Sequence, residues 1–336
     1  MGSRGLGMAV AEAPPQKVEL IRAELARVES LLADSAVSSV EILQEAALHI
    51  LSSGGKRLRP QLVLLVSQLL AGDPERAVPV AAACELVHTA TLVHDDIVDE
   101  SDSRRGKRAV RFFFGNSAAV LMGDYLVVQA FKLLARDPDR RLWPLLADVI
   151  AQMCEGEVLQ IAVRGDTSIP LPTYELIISS KTARLMSLCC RFGALVAGAD
   201  GVRAQAAADF GYHLGMAFQV QDDVLDYLGV EPELGKPVGT DLRERKVTLP
   251  VLLALRDSPL VVREELAAYF SGSESLRAGD VGRVVELIQA AGGFAKARAH
   301  AQEHLAFAER AIGLLPTGPA RVTLEALADS AVNRTR

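Results

Sequence analysis

Two short acidic clusters stand out because each places three aspartates within about one turn of a predicted helix. They are "DDIVD" at 95–99 and "DDVLD" at 222–226. In each cluster the first and last aspartates are one turn apart, so their side chains share a helix face. Like charges repel, and burial in apolar surroundings would raise the pKa values of these carboxyl groups unless a cation compensates. The spacing therefore predicts metal binding.

The donor atoms indicate which metal. Carboxylates without His or Cys suit Mg2+, which takes one or two carboxylates, keeps water and completes its shell with substrate phosphate. We therefore predict that Mg2+ and a diphosphate bind between the clusters. One such cluster alone is more often a solvated helix face. Two copies in the apolar segments "ATLVHDDIVDE" and "GMAFQVQDDVLDYL" favour the metal instead.

Basic side chains lie beside both acidic clusters, at predicted turns. A bound diphosphate needs cationic donors, and arginine provides permanently charged, bidentate ones. The candidates are Lys56, Arg57 and Arg59 in "GGKRLRP", Arg104 and Arg105 in "DSRRGKR", and Lys236 and Lys246 in "LGKPVGTDLRERKVTLP". Each of them alone is ordinary surface charge. Two separate groups near one acidic pair indicate two diphosphate-bearing substrates.

Two further polar residues lie in apolar helices. His88 precedes Asp95 by two turns on the same face. A lone histidine there is more often a satisfied core residue, but beside the acidic cluster it is a candidate phosphate donor. Lys181 lies in "YELIISSKTARLMSL" and needs a partner if it is buried, either a substrate diphosphate or a nearby carboxylate. The neighbouring hydroxyl side chains can bend this helix.

Helices must position these groups, because apolar residues recur at three- and four-residue spacing almost throughout and β-type alternation is nearly absent. The breaks between helices are too short to be linkers between domains. We predict an all-α protein with a disordered leader over 1–15 and one domain over 16–336. The predicted helices span 16–34, 38–53, 60–71, 77–101, 116–136, 141–163, 172–198, 202–228, 240–256, 259–271, 280–291, 293–313 and 319–332.

Composition narrows the class of protein. The 336 residues are 50% hydrophobic and carry a net charge of −6 without any basic block, which argues against a nucleic-acid partner. The four cysteines lack metal or redox spacing and are typical of a reducing compartment. No uncharged apolar run is long enough for a membrane span, and no signal peptide is evident. The sequence predicts a soluble, cytoplasmic protein.

Taken together, the motifs resemble those of the trans-prenyl diphosphate synthases, or polyprenyl synthetases, and most closely the octaprenyl and nonaprenyl members. They are "GGKRLRP", "HTATLVHDDIVDESDSRRG", "FGNSAAVLMGDYL", "SKTARL" and "FQVQDDVLDYLG", followed by "GKPVGTDLRERKVTLP". The resemblance implies a single-domain helical bundle around a deep central cavity, a homodimer, and Mg2+-dependent condensation of isopentenyl diphosphate with an allylic diphosphate.

The resemblance also implies a role for each matching position. It assigns catalysis to Asp95, Asp96, Asp99, Lys181, Asp222 and Asp223, and metal binding to Asp95, Asp99, Asp222 and Asp226. The isopentenyl diphosphate site would comprise Lys56, Arg59, His88 and Arg105. The allylic diphosphate site would comprise Arg104, Lys181, Thr182 and Gln219, joined by Lys236 and Lys246.

Product length is predicted from the helix before the first acidic cluster. Thr91, Ala90 and Val87 are small or modest, whereas short-chain members of the family carry an aromatic plug at the first two positions. This favours a medium- or long-chain polyprenyl product, such as a quinone side chain. Phe112 and Phe113 would shorten the product if either pointed into the tunnel.

Four alternatives remain open at this point. A short-chain farnesyl or geranylgeranyl diphosphate synthase would differ only in product length, and a heteromeric prenyl synthase would use this chain as its catalytic subunit. A class I terpene cyclase is disfavoured by the second "DDxxD" and by "GGKRLRP". A non-enzymatic partner subunit is disfavoured because both acidic clusters are intact.

Overall fold

A computed structural model describes residues 19–52, 54–104, 107–229, 238–272, 277 and 279–332. This part of the chain is almost entirely α-helical. In chain order the helices are α1 (Arg22–Ser35), α2 (Glu41–Leu51), α3 (Leu58–Leu69), α4 (Pro74–Val98), α5 (Val110–Leu134), α6 (Leu142–Ala162), α7 (Leu171–Ile178), α8 (Arg184–Val196), α9 (Gly201–Leu228), α10 (Thr240–Arg243), α11 (Leu249–Asp257), α12 (Leu260–Ser271), α13 (Asp280–Ala290), α14 (Gly293–Ile312) and α15 (Pro319–Val332).

Three short elements complete the described chain. A 3-10 turn (Glu19–Ile21) precedes α1, and a π-helical turn (Ser179–Ala183) joins α7 to α8. Strands β1 (Ser103–Arg104) and β2 (Lys107–Arg108) form an antiparallel hairpin between α4 and α5.

The two long helices that carry the acidic clusters, α4 and α9, begin with side-chain caps. Asp73 accepts a hydrogen bond from the backbone N of Glu75 at 2.9 Å, and Pro74 occupies the first helical position. Asp200 accepts one from the backbone N of Arg203 at 2.8 Å. Such caps satisfy backbone donors that have no partner within the helix, and proline is preorganised for the first turn.

The described helices share one continuous hydrophobic core. Helix α9 packs against α8 and α14, while α4 packs against α3 and α5. Buried alanines are frequent along α4 and α9, including Ala81, Ala82 and Ala83 on α4 and Ala206 and Ala207 on α9. Small side chains let helices approach closely, which is how two acidic helices are held inside one bundle.

The all-α class predicted from periodicity is confirmed, with differences at four places. The predicted helix 172–198 is α7 and α8 with the π-helical turn between them. The predicted helix 240–256 is two helices, α10 and α11, separated by five residues in which Arg245 has a positive φ of 58°. Helix α5 begins at Val110 and continues past a kink at Gly115, whose φ is 77°. The β1–β2 hairpin was not predicted. The leader over 1–15 lies outside the described residues and stays a prediction.

Among the described helices, α4 and α5 are long and apolar enough to cross a membrane by length and composition alone. In α4, 72% of the most apolar window is buried inside the protein, and in α5 39% is. Core helices of soluble proteins pass the same test, so this is weak evidence. The absence of a membrane span therefore stays a prediction.

Candidate active site

The first acidic cluster forms the C-terminal end of α4. The backbone N of Asp99 donates to the carbonyl of Asp95 at 2.8 Å, which places both side chains on one face, as predicted. Their side chains are 19% and 13% exposed, whereas Asp96 is buried. Asp95 and Asp99 are therefore the carboxylates of this cluster that can reach a ligand.

The second acidic cluster lies in the last turns of α9. Asp222 is partly exposed, and Asp223 and Asp226 are buried. Asp226 Oδ2 accepts the backbone N–H of Asp241 at 2.9 Å, and its backbone carbonyl accepts that of Gly239 at 2.7 Å. Asp226 thus anchors the chain around α10 to the helix that carries the second cluster.

Lys181 lies in the π-helical turn and extends towards the first cluster. Its Nζ is 3.1 Å from Glu157 Oε2 on α6 and 3.7 Å from Asp95 Oδ2. Burial alone would lower the pKa of Lys181, but attraction by Asp95 and Glu157 outweighs burial and raises it. The partner that the sequence required for Lys181 is therefore a pair of carboxylates.

The next residue of the π-helical turn connects to the second cluster. Thr182 Oγ1 donates to Gln219 Oε1 at 2.8 Å, and Gln219 Nε2 donates to Asp223 Oδ1 at 2.9 Å. Tyr174 OH donates to Asp223 Oδ2 at 2.7 Å. Burial raises the pKa of Asp223 to about 7 against the effect of these two hydrogen bonds. Through adjacent residues, one turn of helix thus contacts the first acidic cluster directly and is linked to the second through Gln219.

Two glycines allow this turn to fit between its neighbours. A Cβ on Gly156 of α6 would overlap the Ser180 side chain, and one on Gly215 of α9 would lie 2.5 Å from Ala183 Cα. Real Cβ atoms do not approach that closely. The π-helical turn is therefore held on both sides by helices that have no side chain at the contact.

Lys246 connects the clusters a second time, from the segment between α10 and α11. Its Nζ lies 3.2 Å from Asp99 Oδ1 and 2.6 Å from Glu244 Oε2. Burial alone would lower the pKa of Lys246, but Asp99 and Glu244 raise it. Its backbone N donates to the carbonyl of Asp241, the residue held by Asp226. The C-terminal ends of both acidic clusters are thus linked through one short segment.

The basic residues of "GGKRLRP" divide into two roles. Arg57 is bound by Glu29 of α1 at 2.6 Å and by Glu85 of α4 at 3.0 Å, so it ties helices together. Arg59 is partly buried, and burial lowers the pKa of its guanidinium against the attraction of Glu85 and Asp222. Arg59 is therefore the arginine of this group that lies near the second cluster.

The remaining predicted site residues are placed as follows. Lys56 is exposed just before α3, and His88 is partly exposed on α4. Arg104 belongs to β1, and Arg105 and Lys236 lie outside the described residues. The roles of all these residues stay predictions.

The residues predicted to set product length are mostly packed in the core. Val87 and Ala90 have no exposed surface, and Thr91 is partly exposed, with its hydroxyl donating to the carbonyl of His88 at 2.8 Å. The role of these three residues in setting product length stays a prediction. Phe112 and Phe113 are 48% and 56% exposed, so neither points into the core.

Four residues of the site were not predicted from the sequence: Glu157, Arg164, Tyr174 and Glu244. Arg164 Nη2 lies 3.8 Å from Asp99 Oδ1. Glu157 is an acid in the largely apolar "MCEGEVLQIA" and could have been sought as the partner that Lys181 needs. Tyr174 and Glu244 carry no such signal, because their partners lie far along the chain.

The donor set fits a magnesium–diphosphate. Within the described residues, no group of three or more His, Cys, Asp or Glu side chains could hold a metal ion by itself. Mg2+ typically takes only one or two protein carboxylates and fills its shell with water and phosphate oxygens. Asp95, Asp99 and Asp222, all partly exposed, supply oxygen donors of that kind.

Known proteins match along most of the chain. A family model described as polyprenyl synthetase matches residues 40–290. Heptaprenyl diphosphate synthase component 2 of Geobacillus stearothermophilus is 39% identical over 305 residues, which cover 91% of this chain and 94% of that protein. Octaprenyl diphosphate synthase of Escherichia coli (strain K12) is 35% identical over 318 residues, 95% of this chain and 98% of that protein.

Solved structures agree with these relatives. A polyprenyl synthase from Caulobacter crescentus CB15, complexed with calcium and isoprenyl diphosphate, has a TM-score of 0.90 at 38% identity, covering 95% of this chain and 97% of that one. Geranylgeranyl pyrophosphate synthetase from Pyrococcus horikoshii Ot3 has a TM-score of 0.88 at 32% identity, covering 95% and 98%.

Fold and site together define an all-α enzyme in which two aspartate-rich helices are joined by lysines. The chain belongs to the polyprenyl synthetase family and is a prenyl diphosphate synthase.

Proposed function

We propose that this enzyme is a Mg2+-dependent prenyltransferase that condenses isopentenyl diphosphate with an allylic diphosphate. Its product would be a medium- or long-chain all-trans polyprenyl diphosphate, made in the cytoplasm for a quinone side chain. The observation that carries the proposal is the pair of lysine bridges. Lys181 and Lys246 each contact the first acidic cluster. The segment of Lys181 reaches Asp223 of the second cluster through Gln219, and the segment of Lys246 is hydrogen-bonded to Asp226 directly.

Asp95, Asp99 and Asp222, with Asp226 behind them, would hold the metal. Mg2+ held there would supply positive charge that stabilises the diphosphate as a leaving group. Lys181 and Lys246 would donate to the same diphosphate, because each ammonium already lies at the carboxylates where the metal–diphosphate would bind. The two ammonium groups would then stabilise the negative charge that develops on the leaving group. This stabilisation is stronger in the transition state than in the ground state.

The remaining chemistry needs positioning and exclusion of water. Arg59, with Lys56 and His88, would hold the diphosphate of isopentenyl diphosphate so that its double bond lies next to the allylic carbon. Departure of the allylic diphosphate leaves a carbocation, which that double bond attacks. A proton is then lost to the released diphosphate, so no dedicated base is required. The apolar helices around the site protect the cation from water.

Product length is the finer part of the proposal. The Geobacillus and Escherichia relatives are named for heptaprenyl and octaprenyl products, which supports a medium or long product, while the Pyrococcus enzyme is named for a geranylgeranyl product. A short-chain synthase therefore stays the alternative. Measuring the chain length of the product distinguishes a long-chain synthase from a short-chain one.

The enzyme is proposed to act as a homodimer. A groove of about 490 Å³ between α2 and α5 is lined mainly by apolar side chains, among them Ile42, Leu121 and Val128. These three side chains are 51–65% exposed. An exposed apolar surface of this kind is typical of a subunit interface. A second, different subunit is the alternative, because the Geobacillus relative is named as one component of its enzyme.

The test is an elongation assay on the purified protein alone. Farnesyl diphosphate, labelled isopentenyl diphosphate and Mg2+ should give a ladder of longer polyprenyl diphosphates, and a chelator should abolish it. A cyclic hydrocarbon would indicate a cyclase. If the pure protein made no product until cell extract was added, a partner would be required.

A further inference from the structure

The two lysine bridges share one pattern. Each lysine lies between an aspartate of the first acidic cluster and a glutamate that belongs to neither cluster. Lys181 Nζ is 3.1 Å from Glu157 and 3.7 Å from Asp95. Lys246 Nζ is 2.6 Å from Glu244 and 3.2 Å from Asp99. In both cases the glutamate is the nearer partner, so it holds the lysine more closely than the aspartate does.

These contacts lie largely out of solvent. The side chains of Glu157 and Glu244 are 19% and 22% exposed, and those of Lys181 and Lys246 are 29% and 14% exposed. A charge that is mostly withdrawn from water is costly unless an opposite charge lies beside it. Each lysine therefore depends on its carboxylates. In the absence of a metal ion, Asp95 is neutralised by Lys181, and Asp99 by Lys246 together with the more distant Arg164.

We propose that Glu157 and Glu244 are positioning residues that keep Lys181 and Lys246 at the first acidic cluster as exchangeable counter-cations. This inference rests on the proposed function. Without a divalent ion, the lysines neutralise Asp95 and Asp99. With a metal–diphosphate bound, Asp95 and Asp99 would hold the ion, and each ammonium would turn to the diphosphate while its glutamate keeps it within reach.

The exchange predicts how metal and diphosphate depend on each other. A metal ion alone must displace the lysines from the aspartates without giving them a new partner, so it binds weakly. A metal ion with diphosphate provides that partner, so the two bind together. The glutamates make this possible because they keep the displaced ammonium groups within reach.

The first experiment measures metal binding without substrate. Mn2+, which is visible by electron paramagnetic resonance, is titrated into wild type, Lys181→Met and Lys246→Met. Removing the competing ammonium should tighten Mn2+ binding by about 5- to 30-fold. Calorimetry with inorganic pyrophosphate and Mg2+ should show weaker binding in the same variants. Lys296→Met is the matched control, because Lys296 pairs with Asp257 at 2.7 Å and neither belongs to an acidic cluster.

The second experiment is a double-mutant cycle that tests whether Glu157 acts through Lys181. Glu157→Gln leaves Lys181 to Asp95 alone and should weaken Mn2+ binding several-fold, and Glu157→Asp should restore part of it. In the Lys181→Met background, Glu157→Gln should change Mn2+ affinity by less than about twofold. The same cycle applies to Glu244 and Lys246.

If the glutamate and lysine substitutions had additive effects on Mn2+ affinity in both cycles, the proposal would be overturned, because each glutamate would then act on the metal independently of its lysine. Looser Mn2+ binding in the lysine variants would overturn it too, as would no measurable binding in any variant. Circular dichroism and thermal melts confirm that each variant is folded. The elongation assay on wild type is read separately: a protein that fails to elongate but passes both cycles would refute the proposed function and leave the exchange intact.

Discussion

At the scale of single residues, the aspartates of the second cluster differ in what surrounds them. Asp223 accepts hydrogen bonds from Tyr174 and Gln219, and Asp226 accepts one from a backbone N–H. Both are buried, whereas Asp222 is partly exposed. Hydrogen bonds of this kind explain how carboxylates can lie inside a helical core, and they leave Asp222 as the member most able to reach a ligand.

This difference predicts opposite outcomes for two neighbouring substitutions. Asp222→Ala should lower kcat by about 100-fold or more, because a donor to the metal is lost, while the melting temperature stays unchanged or rises. Asp223→Ala leaves the buried Tyr174 hydroxyl without its acceptor and should lower the free energy of unfolding by about 1–3 kcal/mol. Urea unfolding and the elongation assay measure both. An unchanged rate in Asp222→Ala would contradict the metal role.

Product length is testable at Thr91. Thr91→Phe adds a large side chain at a partly exposed position, so it should shorten the polyprenyl product without unfolding the protein. Ala90→Phe should also shorten it, but overpacking a fully buried site should cost about 1–3 kcal/mol. Chromatography measures the product length of each variant against that of wild type. The same product length in both folded variants would show that this face of α4 does not line the tunnel.

Residue types predicted that a buried charge needs a partner better than they predicted which partner it has. The requirement that Lys181 have a partner followed from its apolar surroundings, and the structure supplies Glu157 and Asp95. The different roles of Arg57 and Arg59 could not be predicted, because Glu29 and Glu85 come from helices that only folding brings to Arg57.

At the scale of elements, the π-helical turn depends on the two glycines that face it. Gly156→Ala and Gly215→Ala would push Ser180 or Ala183 away and so displace the adjacent Lys181. Overpacking of this kind should cost about 1–3 kcal/mol and raise KM for the allylic substrate. Gly201→Ala is the control, since a Cβ there meets no atom within 4 Å. Wild-type kinetics in both test variants would show that the turn tolerates displacement.

A second contact between elements joins α9 to α14 through histidines. His213 Nδ1 and His304 Nδ1 are 2.9 Å apart, and Phe307 stacks on His213. Burial, followed by the charges of His300 and His213, lowers the pKa of His304 to about 4, and burial lowers that of His213. Only one of two facing nitrogens can donate, so at least one of the two rings must be neutral, and protonation of both rings breaks the contact.

Stability should therefore depend on pH through this pair. The pKa of His304 is lower in the folded protein than its ordinary 6.5, so the unfolded chain binds more protons between these values. The contribution is fully present above about pH 6.5 and is lost as pH falls, by about 1–2 kcal/mol after allowance for partial exposure. Urea unfolding of wild type and His304→Gln at about pH 7 and about pH 5 measures it. Equal pH dependence in both proteins would exclude the pair as the cause.

Helix breaks show where periodicity fails. The segment 240–256 has helical spacing throughout, yet it is interrupted where Arg245 takes a left-handed conformation and Lys246 reaches Asp99, 147 residues away. A contact that distant in sequence leaves no local pattern. The kink at Gly115, by contrast, has a local cause, because glycine readily adopts its positive φ.

At the scale of the whole molecule, the apolar face shared by α2 and α5 bears on the oligomeric state. Leu121 is 65% exposed within it. Leu121→Glu would place a charge in the proposed dimer interface and should convert a dimer to a monomer in light scattering. Val322→Glu is the matched control, at a valine of α15 that is 64% exposed. A Leu121→Glu variant that remains a dimer would place the interface elsewhere.

The overall architecture could be predicted because helical periodicity and the ordered motifs extend along most of the chain. The spacing and apolar setting of the two acidic clusters already indicated that a ligand binds between them. The contacts that link the clusters depend on tertiary packing and could not be predicted. They are the Thr182–Gln219–Asp223 hydrogen bonds on one side and the contact of Lys246 with Asp99 on the other.

The π-helical turn is equivalent to one extra residue in an otherwise regular helix from α7 to α8. Deleting Ser180 would let that helix run on without interruption, yet one flank would rotate by about 100° relative to the other. The extra residue therefore sets the rotation at which the Lys181 ammonium faces one acidic helix and the Thr182 hydroxyl faces the other.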